Sequence, residues 1–406
     1  MMVQLGYAQE QESWLLTNRF FPSKIGKKPS WLELTNIPKA EDLLCDFCQE
    51  PCIFLCQIYA GSAHVSHAFH RSIFVFICRN GKCCQENLSG NIKVLRSQLG
   101  LKNPFYPDKP AIESEDSEEI EVEVKLCKLC GCRGPLTCSK CKESNYCSKL
   151  HQKLDWGTHK LRCGISEETV DISNKTLFPE FEIVIEQENS DHVSKKESEK
   201  DAEKRRLKEY EDMVKCVEAG EMSNVYDADL NELPETKEDK KFGKFKKTIE
   251  GYEEQVLRYN RHGSPLWISD YGILDPSKVP KCSNCNGKRT FEFQIMPQML
   301  NELENYELDW GIIAVYTCEK DCDIIGKYAP EYCYKQDLTK DDEQQSQIDM
   351  ENMKASINEL QQTRDDKQKV NNLNSTSKEM KESKSKIKSK QKNTKKETFE
   401  ESDIWE

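Results

Sequence analysis

No apolar run in this chain is longer than Ile73-Phe74-Val75-Phe76-Ile77-Cys78, far short of the ~20 residues that cross a bilayer as a helix. Residues 1–16 carry neither the basic cluster nor the continuous apolar stretch of a secretion signal. Cytoplasm and nucleus are therefore the expected compartments, with no membrane partner. Positive charge is also in short supply, with 59 Lys and Arg against 71 Asp and Glu and a formal net charge of −12. A protein that owes its affinity to neutralising phosphates needs the opposite balance, so a basic partner is expected rather than direct nucleic-acid binding. The marks of common chemistries are missing as well. There is no Walker phosphate loop, no Gly-x-Ser-x-Gly, no His-Glu-x-x-His and no Asn-His-x-x-Cys, so the expectation is a protein without enzymatic activity.

Cysteine, by contrast, is abundant. Twenty cysteines recur largely as Cys-x2-Cys pairs, the spacing of thiolate metal ligands rather than of a disulfide framework, and this implies a reducing compartment. With 36% hydrophobic and 32% charged residues, part of the chain cannot bury a core. Composition divides it accordingly. Residues 1–107 and 222–338 are rich in aromatics and cysteine, and 127–163 is a compact Cys/His block. Residues 108–126 form an acidic linker, in which 108–125 hold eight acids against two lysines. Residues 164–186 contain a connecting strand, where Phe181, Ile183 and Ile185 alternate with Glu182 and Val184. A charged linker follows over 187–221, with an exposed helix expected over 202–217. Residues 339–406 read as a disordered tail with a lysine run over 378–396, nine lysines against two glutamates.

The chain also repeats itself. Cys45-x2-Cys48 followed by Phe54-Leu55-Cys56-Gln57-Ile58 aligns without a gap on Cys282-x2-Cys285 followed by Phe291-Glu292-Phe293-Gln294-Ile295, at a constant offset of 237. Each copy is prefaced by a glycine, a proline and a tryptophan: Gly26, Pro29 and Trp31 in one, Gly263, Pro265 and Trp267 in the other. Each continues into an apolar run that ends in two more cysteines, Cys78 and Cys83 or Cys318 and Cys322. Structural zinc needs four soft ligands in a closed tetrahedron, which a tight Cys-x2-Cys turn and a distant returning pair supply. Cys45, Cys48, Cys78 and Cys83 form one expected site, and Cys282, Cys285, Cys318 and Cys322 the other. Spacing favours Cys83 over Cys84 without separating the two neighbours.

The central block reads Cys127-x2-Cys130, Cys138-x2-Cys141, Cys147-x3-His151 and His159-x3-Cys163. Four pairs give two interleaved sites. Cys127, Cys130, Cys147 and His151 hold one zinc, and Cys138, Cys141, His159 and Cys163 the other. Their metals replace the hydrophobic core that so short a segment lacks. Order and spacing, with Tyr146 before Cys147 and Trp156 before His159, resemble the MYND zinc finger, a protein-interaction module that holds short peptides. His151 stands where most members have cysteine. Four closed sites mean four structural zinc ions and no open position for catalysis. His64, His67 and His70 have no fourth ligand nearby and are expected at a solvent edge or in packing. Trp31, Trp267, Trp310, Phe291 and Phe293 are expected in the core.

The wider pattern resembles the programmed cell death protein 2 family, in its finger-bearing branch. It is carried by Leu5-Gly6-Tyr7-Ala8, Phe21-Pro22-Ser23-Lys24, His70-Arg71 and Phe178-Pro179-Glu180-Phe181. Phe291-Glu292-Phe293-Gln294, Met296-Pro297-Gln298 and Asp309-Trp310-Gly311 complete it. Lys27 and Asn286 stand where glycine is common in the family. The resemblance implies a dedicated chaperone that escorts a newly made small-subunit ribosomal protein during 40S ribosome biogenesis. The competing reading is a nuclear transcription or chromatin adaptor that binds Pro-rich corepressor peptides through the finger. The expected fold is α+β, mostly β, a pseudo-symmetric body of two zinc-ribbon-like halves with the finger inserted on flexible acidic linkers.

Overall fold

The computed structural model describes residues 3–115, 120, 122–161, 163–164, 176–188 and 237–337. The helix expected over 202–217, the lysine run and the tail lie outside these residues. In chain order the elements are β1 (Gln4–Gln9), β2 (Lys24–Ile25), β3 (Ile53–Tyr59), β4 (His70–Ile77), β5 (Ile92–Leu99), β6 (Leu136–Thr137), β7 (Asn145–Tyr146), α1 (Lys149–His159) and β8 (Phe181–Gln187). They continue with α2 (Lys237–Ile249), β9 (Gln255–Tyr259), β10 (Arg289–Ile295), α3 (Met299–Glu302), β11 (Ile312–Cys318) and β12 (Ala329–Gln336). The protein is mostly β. Ten antiparallel strands close into one barrel in the order β1-β8-β2-β3-β4-β5-β12-β11-β10-β9, and β9 returns to β1. Closure removes the barrel's free edges among the described residues, and β6 and β7 form a separate two-stranded sheet. Among the described residues no helix is long and apolar enough to cross a membrane.

Both copies of the repeat contribute to that single sheet. The first supplies β2 to β5 and the second β9 to β12; they meet where β5 pairs β12, and β1 and β8 join them on the far side. The repeat extends to backbone detail. The β3–β4 ladder is bulged between Phe54 and Cys56, and the β10–β11 ladder between Phe291 and Phe293, the same positions 237 residues on. A buried glutamine follows each bulge. Gln57 Oε1 accepts the Ser30 N–H at 2.8 Å while its Nε2 donates to the Ser30 and Pro22 carbonyls. Gln294 accepts the Leu266 N–H at 2.6 Å and donates to the Leu266 carbonyl. Each glutamine thereby fixes the residue just ahead of a prefatory tryptophan.

The apolar run of β4 is continuous because both of its faces are covered. Ile73, Val75 and Ile77 point into the lumen with Leu55, Leu257, Phe293, Ile295, Ile313 and Val315. Phe74 and Phe76 point outward into a second cluster with Trp31 and Phe54. Ionic groups also lie among the barrel's buried side chains, where Arg96 pairs with Glu331 at 2.6 Å. Arg71 and Glu292, both fully buried, pair across the two copies, with Arg71 Nη2 2.7 Å from Glu292 Oε2 and the Arg71 Nε 2.9 Å from Asp321 Oδ1. Arg261 forks onto Asp321 with two contacts of 2.8 Å, and the Tyr259 hydroxyl donates to Glu292 at 3.0 Å. Burial would raise the Glu292 carboxyl, but the Arg71 guanidinium, with help from Arg261, holds it down at about 2.

Among the described residues the finger is held against the barrel. It docks on the outward cluster of the first copy. The Trp31 indole donates to the Gly131 carbonyl at 2.8 Å, the Arg133 N–H donates to the Pro38 carbonyl at 3.0 Å, and Leu129 shares the apolar cluster of Trp31 and Phe74. Ile120, Val122, Val124 and Leu126 of the acidic linker pack there too, and Asn18 Nδ2 holds the Ile120 carbonyl at 3.3 Å. Alternating apolar residues give the end of that linker a buried face despite its acids. Trp31, Trp310, Phe291 and Phe293 are buried, whereas Trp267, expected in the core, is only half-buried, at the margin of a cluster formed by Phe245, Ile249, Ile268, Met296 and Ile312. His67 lies in a short 3₁₀ turn and His70 opens β4, so the three histidines do not share one strand.

Candidate metal centres

Each Cys-x2-Cys turn is built by one backbone device. The amide four residues after the first cysteine donates back to that cysteine's carbonyl, and the donor residue turns left-handed. Gln49 (φ 60°), Gly131 (φ 74°), Lys142 (φ 60°) and Asn286 (φ 56°) occupy that place, with N–H···O distances of 2.9, 2.9, 2.9 and 2.8 Å. The turn aims both sulfurs to one side. Left-handed backbone favours glycine, with asparagine the least costly substitute, which explains why glycine suits position 286 in relatives. Lys27, at φ 47°, is the other such position.

Four sets of ligand atoms converge, the members of each within 4.8 Å of one another: Cys45, Cys48, Cys78 and Cys83; Cys127, Cys130, Cys147 and His151; Cys138, Cys141, His159 and Cys163; Cys282, Cys285, Cys318 and Cys322. Bonds of 2.3 Å to a tetrahedral zinc place two sulfurs about 3.8 Å apart. The pairs Cys48–Cys78 and Cys130–Cys147 are 3.6 Å apart, Cys282–Cys322 and Cys285–Cys318 3.7 Å, and Cys138–Cys163 3.9 Å. These are tetrahedron edges, far longer than a disulfide's ~2.05 Å. Cys84 stands apart, its sulfur accepting from Asn91 Nδ2 at 3.5 Å.

The two histidines present different nitrogens. His151 Nδ1 lies 3.1 Å from Cys147 Sγ, while His159 Nε2 lies 3.4 Å from Cys138 Sγ and 3.6 Å from Cys141 Sγ. The other His159 nitrogen faces Ser144 Oγ at 3.4 Å, a contact that orients the ring. Ser148 caps α1 by accepting the His151 N–H at 3.1 Å, so the helix that carries both histidines starts where its first ligand is needed.

One thiol in each quartet, Cys48, Cys127, Cys141 or Cys282, is held below its ordinary value, while burial and the neighbouring sulfurs raise most of the others. Backbone amides of Ser144 and Glu143 hold the Cys141 thiol down at about 6. Burial works against Cys282, yet the amides of Cys285 and Asn284 bring it down to about 7. Burial pushes Cys52 and Cys56 up, and Cys333 up to about 12, so these three stay protonated. With four protein ligands in each set, no position is open for water activation, and the metal's role is structural.

Sequence reasoning missed how the last site is held. First-copy residues reach across to it. Arg96 donates to the Cys322 carbonyl at 3.2 Å and lies 3.5 Å from its sulfur, and Gln98 donates to the same carbonyl at 3.1 Å. Asp321, the residue before Cys322, is gripped by Arg71 and Arg261. A zinc with four thiolates carries net negative charge, and these cations offset it. Only His70-Arg71 stood out beforehand, as part of a motif and with no role.

A closed barrel carrying two thiolate quartets, with an interleaved finger of two Cys/His quartets on its flank, defines a zinc-binding protein of the finger-bearing kind. Family comparisons agree with that class. Residues 2–113 match the programmed cell death protein 2 N-terminal domain, 239–339 its C-terminal putative domain, and 127–163 the MYND finger, a zinc-binding domain. Programmed cell death protein 2 of Rattus norvegicus is 40% identical over 353 residues, covering 83% of this chain and 97% of the relative. Programmed cell death protein 2-like of Mus musculus is 28% identical over 349 residues, covering 78% and 90%. A Schizosaccharomyces pombe protein named "Probable 20S rRNA accumulation protein 4" is 35% identical over 94 residues, 21% of this chain and 24% of that one. No solved structure matches. The chain belongs to the programmed cell death protein 2 family.

Proposed function

We propose that this protein is a non-enzymatic escort for a small-subunit ribosomal protein in 40S biogenesis, working in cytoplasm and nucleus, with the MYND finger as its second interaction module. In this reading the four converging quartets are the ligands of four zinc ions, and the barrel is a duplicated, ribbon-derived unit whose halves share one sheet. The observation that carries it is the relationship to a fission-yeast protein named for 20S rRNA accumulation, joined to a chain of net charge −12. Free ribosomal proteins are strongly basic, and an acidic escort screens them from premature contact with RNA. Residues 108–125 carry −6 and residues 180–201 hold eight acids against three lysines, in keeping with such a client. Affinity purification with quantitative mass spectrometry tests it: a small-subunit ribosomal protein must be the principal stoichiometric partner.

One observation favours a peptide partner at the finger. Leu154, Trp156 and Leu161 are 46%, 47% and 61% exposed around α1, an apolar side left open after docking. Deleting 127–163 would also uncover Trp31 and Phe74, so Trp156→Ala is the cleaner probe. If it abolishes the principal interaction, the adaptor reading replaces the escort.

A further inference from the structure

Because the copies pair their strands alike, their outer faces can be matched residue by residue. Phe54 opposes Phe76 in the first, and Phe291 opposes Tyr316 in the second. On the next strand Phe74 opposes Leu95 and Phe76 opposes Lys93; Ala314 opposes Tyr334 and Tyr316 opposes Tyr332. Each face is topped by its prefatory tryptophan. On the first copy the face is shut: Trp31 is 2% exposed, its ring 5.1 Å from that of Phe74 and 5.0 Å from that of Tyr328, and its N–H is taken by the Gly131 carbonyl of the finger.

The matching face of the second copy is only partly covered: Phe291, Ala314 and Tyr316 are buried in a cluster with Leu274, and Val279 packs beside them, while the outer rings stay accessible. Trp267, Tyr332 and Tyr334 are half-buried, and the Trp267 ring meets Tyr334 edge-on at 6.1 Å. Tyr271 and Ile273, 50% and 41% exposed, extend the patch, and Leu88 (49%) follows Asn87, whose side chain abuts Gly272. Trp267 Nε1 and the hydroxyls of Tyr271, Tyr316, Tyr332 and Tyr334 make no hydrogen bond among the described residues. Burial pushes the Tyr332 and Tyr334 phenols up, so each keeps a proton to donate as well as a lone pair to accept with. Rigid aromatic surface with unfilled polar tips is the composition of the energetic centre of protein interfaces.

We infer that this face of the second copy seats the basic client, resting on the escort reading above. It receives an arginine-bearing segment that lies across Trp267 and the tyrosines and gives Trp267 a backbone carbonyl, as Gly131 does for Trp31. A planar guanidinium stacks on aromatic rings and donates to phenol oxygens, which a lysine ammonium does less well. The same sheet face, one copy earlier, already holds a polypeptide turn in this way, so the site is of a kind this barrel demonstrably makes.

The test uses the full-length zinc-loaded protein, immobilised, and proteins extracted from purified small ribosomal subunits as the probe. Trp267→Ala and Tyr334→Ala lower retention of the bound ribosomal protein at least tenfold, Trp267→Phe lowers it less, and Trp156→Ala leaves it unchanged. As a second measurement independent of any folding defect, p-benzoyl-phenylalanine placed at Tyr332 photo-crosslinks to that ribosomal protein. Equal retention by the wild type and by variants that keep four zinc ions overturns the inference while leaving the escort reading standing. So does a crosslink from position 332 to another segment of this chain or to a second copy. Retention of no small-subunit protein by the wild type overturns both.

Discussion

Replacing Arg71 by methionine isolates a fully buried ion pair that ties the two copies together. Methionine keeps most of the stem and removes the charge, leaving Glu292 fully buried with the Tyr259 and Thr317 hydroxyls as hydrogen-bond partners and Arg261 as the remaining nearby cation. Breaking a buried ion pair from one side costs about 3–5 kcal/mol, because the remaining charge has lost both water and counter-charge. Against a total stability of about 5–15 kcal/mol that is a large fraction, and it lowers the melting temperature by ~10 °C. The loss also reaches a metal site, since Arg71 holds Asp321 at 2.9 Å and Asp321 precedes the ligand Cys322. Arg71→Met therefore yields one zinc per chain to a competing chelator faster than the wild type, with the other three unaffected. Adding Glu292→Met removes the stranded carboxylate and restores most of the lost stability. Urea titration at fixed free zinc, run beside a chromogenic chelator assay, reads both effects. A loss below about 1 kcal/mol, or a double variant no more stable than the single one, refutes the reasoning.

Elemental analysis of purified protein returns four zinc per chain; Cys282→Ser or Cys318→Ser removes one and unfolds the second copy, whereas Cys130→Ser disturbs the finger. Unchanged zinc content and melting in the Cys318→Ser protein would dismiss that quartet. Trp31→Phe deletes the indole bond to Gly131, costs about 1 kcal/mol, and speeds amide exchange through 127–163 while β10 and β11 keep wild-type protection. Glu292 adds a pH dependence of known sign. Its carboxyl is lowered from 4.5 to about 2, so its contribution is complete above pH 4.5 and fades as pH falls toward 2, on the order of 3 kcal/mol in all. Comparing wild type with Glu292→Gln at pH 6 and pH 4, with zinc content verified equal at both, isolates it from zinc loss; a gap that does not narrow at pH 4 contradicts the assignment.

Much of the metal chemistry was legible before any fold was known, because a zinc turn is local. Cys-x2-Cys and the left-handed fourth residue are encoded within five positions, and Gln49, Gly131, Lys142 and Asn286 obey one rule. The internal repeat was equally readable, since duplicated side chains such as Gln57 and Gln294 still perform one task. The docking of the linker's end was hard to read for a physical reason: acids dominate its composition, while the alternation of Ile120, Val122, Val124 and Leu126 that partly buries it is short.

What the linear order determined by itself is where the ligands sit, how they pair within each turn, and that one half echoes the other. Only the tertiary structure decided that both halves close a single barrel, that Cys83 rather than Cys84 joins its quartet, and that Trp31 is sealed while Trp267 stays half-buried. It alone joined Arg71 to Glu292, 221 residues apart. Contacts at that separation leave no periodicity in the chain; they come into being when strand register brings distant side chains together, and register is a property of the closed sheet.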